Sequence, residues 1–174
     1  MDNFEAAISG VALAARILNI ETPGVQFFND LELNENGINA VFVKERMIIC
    51  FNKLWIESAN FLEIQITCFH ETRHVFQYLL VSGKYKGTEN IDQQTINTWK
   101  QDLRYYEKPS GILGNNEDYL KQSIEIDAIA FAHYFMKKLY DVKTVIPSFI
   151  SSEVIDILTL LDKKKSYSFE ITHK

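Results

Sequence analysis

His70 and His74 stand one helical turn apart in the segment HETRH, residues 70–74, and Glu71 directly follows the first histidine. On a helix both imidazoles would project from one face, about 6 Å apart along the axis, so both could reach one tetrahedral ion at about 2 Å. Glu71 would lie about 100° round the helix, close enough to hydrogen-bond a water on the metal without binding the metal. The pattern therefore predicts metal-assisted hydrolysis, with Glu71 as general base. A helix that shows these groups to solvent by coincidence is the alternative, and the apolar residues around the motif argue against it.

A third ligand has to come from another element, because a catalytic zinc ion takes three protein ligands plus water. Residues 123–132 form an apolar stretch that contains Glu125 and Asp127, and His133 follows it. Acids in such a stretch are costly to bury without a cation or a donor beside them. Glu125 is the first choice for the third ligand. Asp127 lies about 200° away from it and is better placed to orient a neighbour such as a histidine N–H, while His133 remains an alternative ligand.

The HETRH segment is followed by the pattern Glu125-x-x-Ala128-x-x-Phe131-Ala132. With these two motifs the chain resembles the small zincin metallopeptidases of the gluzincin type. It is distantly similar to the ImmA/IrrE-type peptidases and to uncharacterised bacterial or phage-borne proteins with an HExRHxxQ signature, whose last position Gln77 fits. The resemblance implies one Zn²⁺ ion held by His70, His74 and Glu125. It covers about residues 25–140, and it departs from the ImmA/IrrE pattern just after the HETRH segment, where those relatives carry small residues.

The resemblance also implies an α+β zincin-like fold, with a small mixed or antiparallel sheet beside a buried active-site helix. Hydrophobic periodicity and turn residues predict the individual elements. The predicted helices cover about 4–18, 58–81, 93–106, 117–140 and 149–163, and the predicted strands cover 25–28, 38–43 and 47–51. The last two strands read as a hairpin around the charged residues 44–46, and loops are expected at 34–37 and 109–114.

The composition of the 174 residues predicts one soluble domain over 1–174, with flanking helices at about 4–19 and 149–163 around the recognisable core. A net charge of -5 argues against nucleic acid or an anionic membrane as partner. No signal sequence or membrane span is recognisable, so a cytoplasmic protein is expected. Cys50 and Cys68 lie in apolar segments and are expected to be buried thiols rather than a disulfide.

By this analogy the protein is a zinc-dependent hydrolase, a metalloendopeptidase that acts on peptide or protein substrates with a zinc-bound water as nucleophile. Extended substrate would add as a strand to the edge of the 38–51 hairpin. The oxyanion that forms needs a donor from outside the ligand set. The candidates for this donor or for a supporting role are Asp127, Arg73, Arg104, Tyr105 and Tyr106.

Two alternatives stay open from the sequence. The zinc could only fasten the helices at 58–81 and 117–140 together, which would make the protein a non-catalytic binding or regulatory module. Such a structural site needs a fourth protein ligand and has no need of Glu71. The same metal site could also hydrolyse an amide that is not a peptide.

Overall fold

The computed structural model of the protein describes residues 1–29, 36–89, 91–109 and 116–163. Within these residues the chain combines helices with one three-stranded sheet, so the predicted α+β class is confirmed. The helices are α1 (Asn3–Ile17), α2 (Lys53–Ser58), α3 (Phe61–Val81), α4 (Gln93–Arg104), α5 (Glu117–Leu120), α6 (Ser123–Tyr140) and α7 (Ser151–Lys163). The strands are β1 (Gly24–Phe28), β2 (Ala40–Val43) and β3 (Ile48–Asn52).

The sheet is mixed, with β3 in the centre, β1 parallel to it and β2 antiparallel to it. The turn at 44–47 connects β2 to β3, which confirms the predicted hairpin. All five residues of β3 are buried, as expected for a central strand with both faces covered. Strand β2 lies at one edge of the sheet and packs beside α3.

The helix that carries the HETRH motif begins three residues later than predicted. The side chain of Asn60 accepts a hydrogen bond from the backbone N–H of Glu63 at 3.0 Å, and the Glu63 side chain accepts one from the N–H of Asn60 at 3.0 Å. This capping box satisfies two of the free N–H groups at the start of α3. The residues before it form the separate short helix α2, which the sequence did not predict.

Helix α3 lies in the middle of the fold, between α1 and α6, as its apolar residues on more than one face predicted. On the α1 side the backbones approach closely at Gly10, where an added Cβ would lie 2.9 Å from the Cys68 sulfur. On the α6 side the ring of Phe69 stacks on that of Phe135 at 5.8 Å. Both cysteines are buried and free, which confirms that expectation.

Two predicted helices around the site were too long. Helix α4 ends at Arg104, and the predicted helix over 117–140 is broken between α5 and α6. At the break the backbone of Gln122 is extended (φ -62°, ψ 135°), and its side chain exchanges two 3.0 Å hydrogen bonds with the backbone N–H and C=O of Glu107. The side chain thus ties the segment after α4 to the start of α6.

The remaining differences are small. Helix α1 ends at Ile17 rather than residue 18, and α7 begins at Ser151 after a 3₁₀ turn at Ser148–Ile150. Most of the predicted loops at 34–37 and 109–114 lies outside the described residues. Within the described part of the chain, none of the helices combines the length and the apolar character needed to cross a bilayer.

Candidate metal centre

Helices α3 and α6 bring three ligand atoms from His70, His74 and Glu125 together. The Nε2 atoms of the two histidines are 3.0 Å apart. Oε2 of Glu125 lies 3.3 Å from Nε2 of His70, and Oε1 of Glu125 lies 3.4 Å from Nε2 of His74. A tetrahedral zinc ion with bonds of about 2.0–2.1 Å separates its ligand atoms by about 3.3–3.4 Å. Each of the three separations is close to that spacing, although the two distances from Glu125 involve different oxygens, and one ligand atom from each residue lies within 4.8 Å of the other two. The group is therefore compact enough to surround one ion.

The charges of this cluster also fit a cation. The side chain of Glu125 is fully buried, while those of His70 and His74 are 19% and 13% exposed. Burial alone would raise the pKa of Glu125, but the adjacent His74 and His70 hold it well below its usual range. Burial likewise opposes a charge on His74, yet the Glu125 carboxylate outweighs it and raises the pKa of His74 to about 9. In the metal-free protein a proton on His74 balances the charge of the buried carboxylate. When zinc binds, that proton is released, and the neutral imidazole nitrogens and the carboxylate are donors that zinc prefers.

Glu71 lies beside the two histidines and is only 8% exposed. Burial raises the pKa of its carboxyl, and the neighbouring Glu125 adds to this, whereas His70, His74 and the backbone N–H of Phe42 lower it. The influence of Phe42, which belongs to β2, places Glu71 between the histidine pair and the edge strand of the sheet. The carboxyl is thus a buried group with an increased affinity for protons next to the candidate metal ligands.

Two tyrosine hydroxyls hold Glu125 from the other side. Tyr106 donates a hydrogen bond to Oε1 of Glu125 at 2.6 Å, and Tyr119 donates one to Oε2 at 2.9 Å. Burial raises the pKa of both tyrosines, and the Glu125 carboxylate raises it further, so both stay protonated donors. Tyr106 was a candidate oxyanion donor; its hydroxyl binds the carboxylate instead. The sequence did not predict a role for Tyr119. Its side chain reaches the site because the helix is interrupted at 121–122, and no regular spacing in the sequence indicates this.

Among the described residues, Asp127 hydrogen-bonds to Arg73 and Gln77 rather than to a histidine. It accepts hydrogen bonds from Arg73 Nε at 2.7 Å and Arg73 Nη2 at 3.0 Å, and a third from Gln77 Nε2 at 2.7 Å. Gln77 in turn contacts Nδ1 of His74 through its Oε1 at 2.8 Å. Asp127 thus reaches the histidine only through Gln77, whose role the sequence analysis did not assign.

The other candidates lie outside the cluster. Arg73 is buried against the rings of Phe76 and Phe131, at 4.5 and 4.9 Å from their centroids, and its guanidinium binds Asp127. Tyr105 is 69% exposed, and the guanidinium of Arg104 lies 5.3 Å from the centre of its ring. The remaining candidate ligand, the imidazole of His133, contacts the Thr144 hydroxyl at 2.8 Å.

No protein-family model matches this chain, and no curated protein and no solved structure is similar to it. Membership of the zincin metallopeptidases therefore remains a prediction from the HETRH motif and the residues that follow it. The geometry of the histidine–glutamate cluster is an independent observation, since it depends on how α3 and α6 pack rather than on the motif.

Proposed function

We propose that the protein is a zinc-dependent hydrolase, most simply a metallopeptidase, with its zinc held by His70, His74 and Glu125. The proposal rests on one observation: the two imidazole nitrogens of His70 and His74 lie 3.0 Å apart, and each lies 3.3–3.4 Å from one of the two carboxylate oxygens of Glu125. These separations are close to those between ligand atoms around one zinc ion. Among the described residues, no fourth histidine, cysteine or carboxylate belongs to this group. A three-ligand set supports catalysis rather than a closed structural site.

In this proposal the bound metal supplies a positive charge that polarises the scissile carbonyl and acidifies the attacking water. Glu71 accepts a proton from that water as the water oxygen bonds to the carbonyl carbon. The same carboxyl then gives the proton to the amide nitrogen as the carbon–nitrogen bond breaks. Tyr106 and Tyr119 fix the direction of the Glu125 carboxylate.

The position of β2 supports an extended peptide as substrate. This strand is at the edge of the sheet, and the amide of Phe42 on it is close enough to Glu71 to lower the pKa of that carboxyl. A peptide that paired with the outer edge of β2 would gain backbone hydrogen bonds and lie next to the general base.

Replacing Glu71 by Gln tests the proposal. Glu71→Gln should keep one zinc ion per chain in protein purified without a histidine tag, while cleavage of an unfolded-protein or peptide library falls by roughly a hundred- to ten-thousand-fold. Glu63→Gln is the matched control on the same helix, because glutamine also completes the capping box at that position. It should cleave like the wild type.

Zinc analysis of His70→Ala and Glu125→Ala completes the experiment, and both variants should lose stoichiometric zinc. Full hydrolysis by Glu71→Gln, or retention of zinc by both alanine variants, would refute the proposal. Stoichiometric zinc without any hydrolysis by the wild type would instead favour the non-catalytic module.

A further inference from the structure

The amide of Gln77 is fully buried between His74 and helix α6. Its Nε2 donates to the backbone carbonyl of Ile124 at 2.9 Å and to Oδ2 of Asp127 at 2.7 Å, while its Oε1 lies 2.8 Å from Nδ1 of His74. All three polar contacts are short, and each joins Gln77 to a different residue. The amide is thus held from both ends without access to water.

These contacts allow only one orientation of the amide. Turning it over would place its oxygen against the Ile124 carbonyl and the Asp127 carboxylate, both of which only accept hydrogen bonds. Oε1 must therefore face His74, and because an amide oxygen cannot donate, Nδ1 of His74 must carry the hydrogen. In the neutral imidazole the lone pair then sits on Nε2, the atom that faces His70 and Glu125.

The partners of Gln77 are themselves fixed. Arg73 binds Asp127 through two nitrogen atoms and is 1% exposed. Ile124 and Asp127 also lie on either side of Glu125 in the sequence of α6, so the elements that orient the amide are the ones that carry the acidic ligand. A shift of α6 that moved Glu125 would also move the two acceptors that hold Gln77.

We propose that Gln77 is a positioning residue for the metal centre. It determines that Nδ1 of His74 carries the hydrogen, and it thereby directs the Nε2 lone pair toward the ion. The inference rests on the proposed zinc site. Outer residues that orient ligating histidines typically change metal affinity by 10- to 100-fold when they are lost. We expect the loss of Gln77 to weaken zinc binding to a similar extent, although Gln77 itself contacts neither metal nor substrate.

Comparison of Gln77→Met with Gln65→Met tests this role. Gln65 lies on the same helix, is 2% exposed, donates to the Ala6 carbonyl at 3.0 Å and accepts from the Tyr140 hydroxyl at 3.3 Å. Both variants lose buried hydrogen bonds, but only Gln77→Met loses the contact to His74. In chelator competition, Gln77→Met should bind zinc about 10- to 100-fold more weakly than the wild type, and Gln65→Met should bind it within about twofold.

The second readout is the imidazole proton itself, observed by nitrogen-edited NMR in metal-free and zinc-loaded protein. The wild type and Gln65→Met should show a slowly exchanging proton on Nδ1 of His74, and in Gln77→Met that proton should exchange with water faster because it has lost its acceptor. Wild-type zinc affinity together with wild-type exchange of the Nδ1 proton in Gln77→Met would overturn the inference and leave the proposed function standing.

The remaining outcomes also decide between the two proposals. A wild type that binds no zinc would refute the proposed function, and the metal-free NMR comparison would then decide the role of Gln77 by itself. If Gln77→Met does not fold, the wild type decides: a slowly exchanging proton on Nδ1 of His74 supports the inference, and a rapidly exchanging one overturns it.

Discussion

Replacing Arg73 by Met tests the packing on which the candidate site depends. The change keeps a long side chain of similar shape among the aromatic rings but removes the charge and both hydrogen bonds to Asp127. Asp127 is 6% exposed and, within the part of the chain that the structure describes, would retain only the hydrogen bond from Gln77. The variant therefore leaves a carboxylate almost without compensation inside the protein.

The expected loss is large because the charge remains buried. Removing one partner of a buried ion pair typically costs about 3–5 kcal/mol, most of it the penalty for the charge that stays behind. A loss of about 4 kcal/mol corresponds to a fall in melting temperature of about 8–16 °C for a chain of this size. Arg73→Met with Asp127→Leu removes both charges, so we expect the double variant to recover at least half of the loss.

Urea unfolding followed by circular dichroism measures these free energies. Arg46→Met is the control, since Arg46 is exposed and its one 3.3 Å contact to Gln26 should be worth less than about 0.5 kcal/mol. A loss below about 1 kcal/mol for Arg73→Met, or a double variant less stable than the single one, would refute the view that Asp127 is a buried carboxylate held by Arg73.

Two further predictions concern the metal centre. In metal-free protein, the raised pKa of His74, about 9, stabilises the fold fully below pH 6.5, and this contribution of at most about 3 kcal/mol is lost as the pH rises toward 9. Urea unfolding at pH 6.5 and 9 should show the decline in the wild type and not in His74→Gln; equal declines would contradict it. Tyr119→Phe removes a 2.9 Å hydrogen bond to Glu125 and should weaken zinc binding about tenfold in chelator competition. Tyr134→Phe is its control, and equal affinities of the two variants would contradict the role of Tyr119.

The sequence was sufficient wherever the determining interactions are local. An apolar segment with helical spacing predicts α3, and that spacing places His70 and His74 on one face. Two β-rich runs on either side of a charged turn predict the β2–β3 hairpin in the same way. The errors at helix ends have a different origin, since the break before α6 coincides with hydrogen bonds between Gln122 and Glu107, which lies 15 residues earlier in the chain.

Which acid faces the histidines was not determined by the sequence alone. Glu125 and Asp127 lie in the same apolar stretch, and both are buried. Packing of α6 against α3 turns Glu125 to the histidines and Asp127 to Arg73 and Gln77. The rotation of one helix about its own axis depends on side chains all along the contact, so no local pattern specifies it.

The sequence by itself determined that two imidazoles and a carboxyl stand together on one helix, because hydrogen bonds between neighbouring turns fix that spacing. Only the tertiary structure decided that Glu125 completes the cluster, that Tyr106 and Tyr119 hold it, and that Gln77 orients His74. These contacts join segments that are far apart in the chain, and their geometry follows from how buried helices pack and satisfy their polar groups.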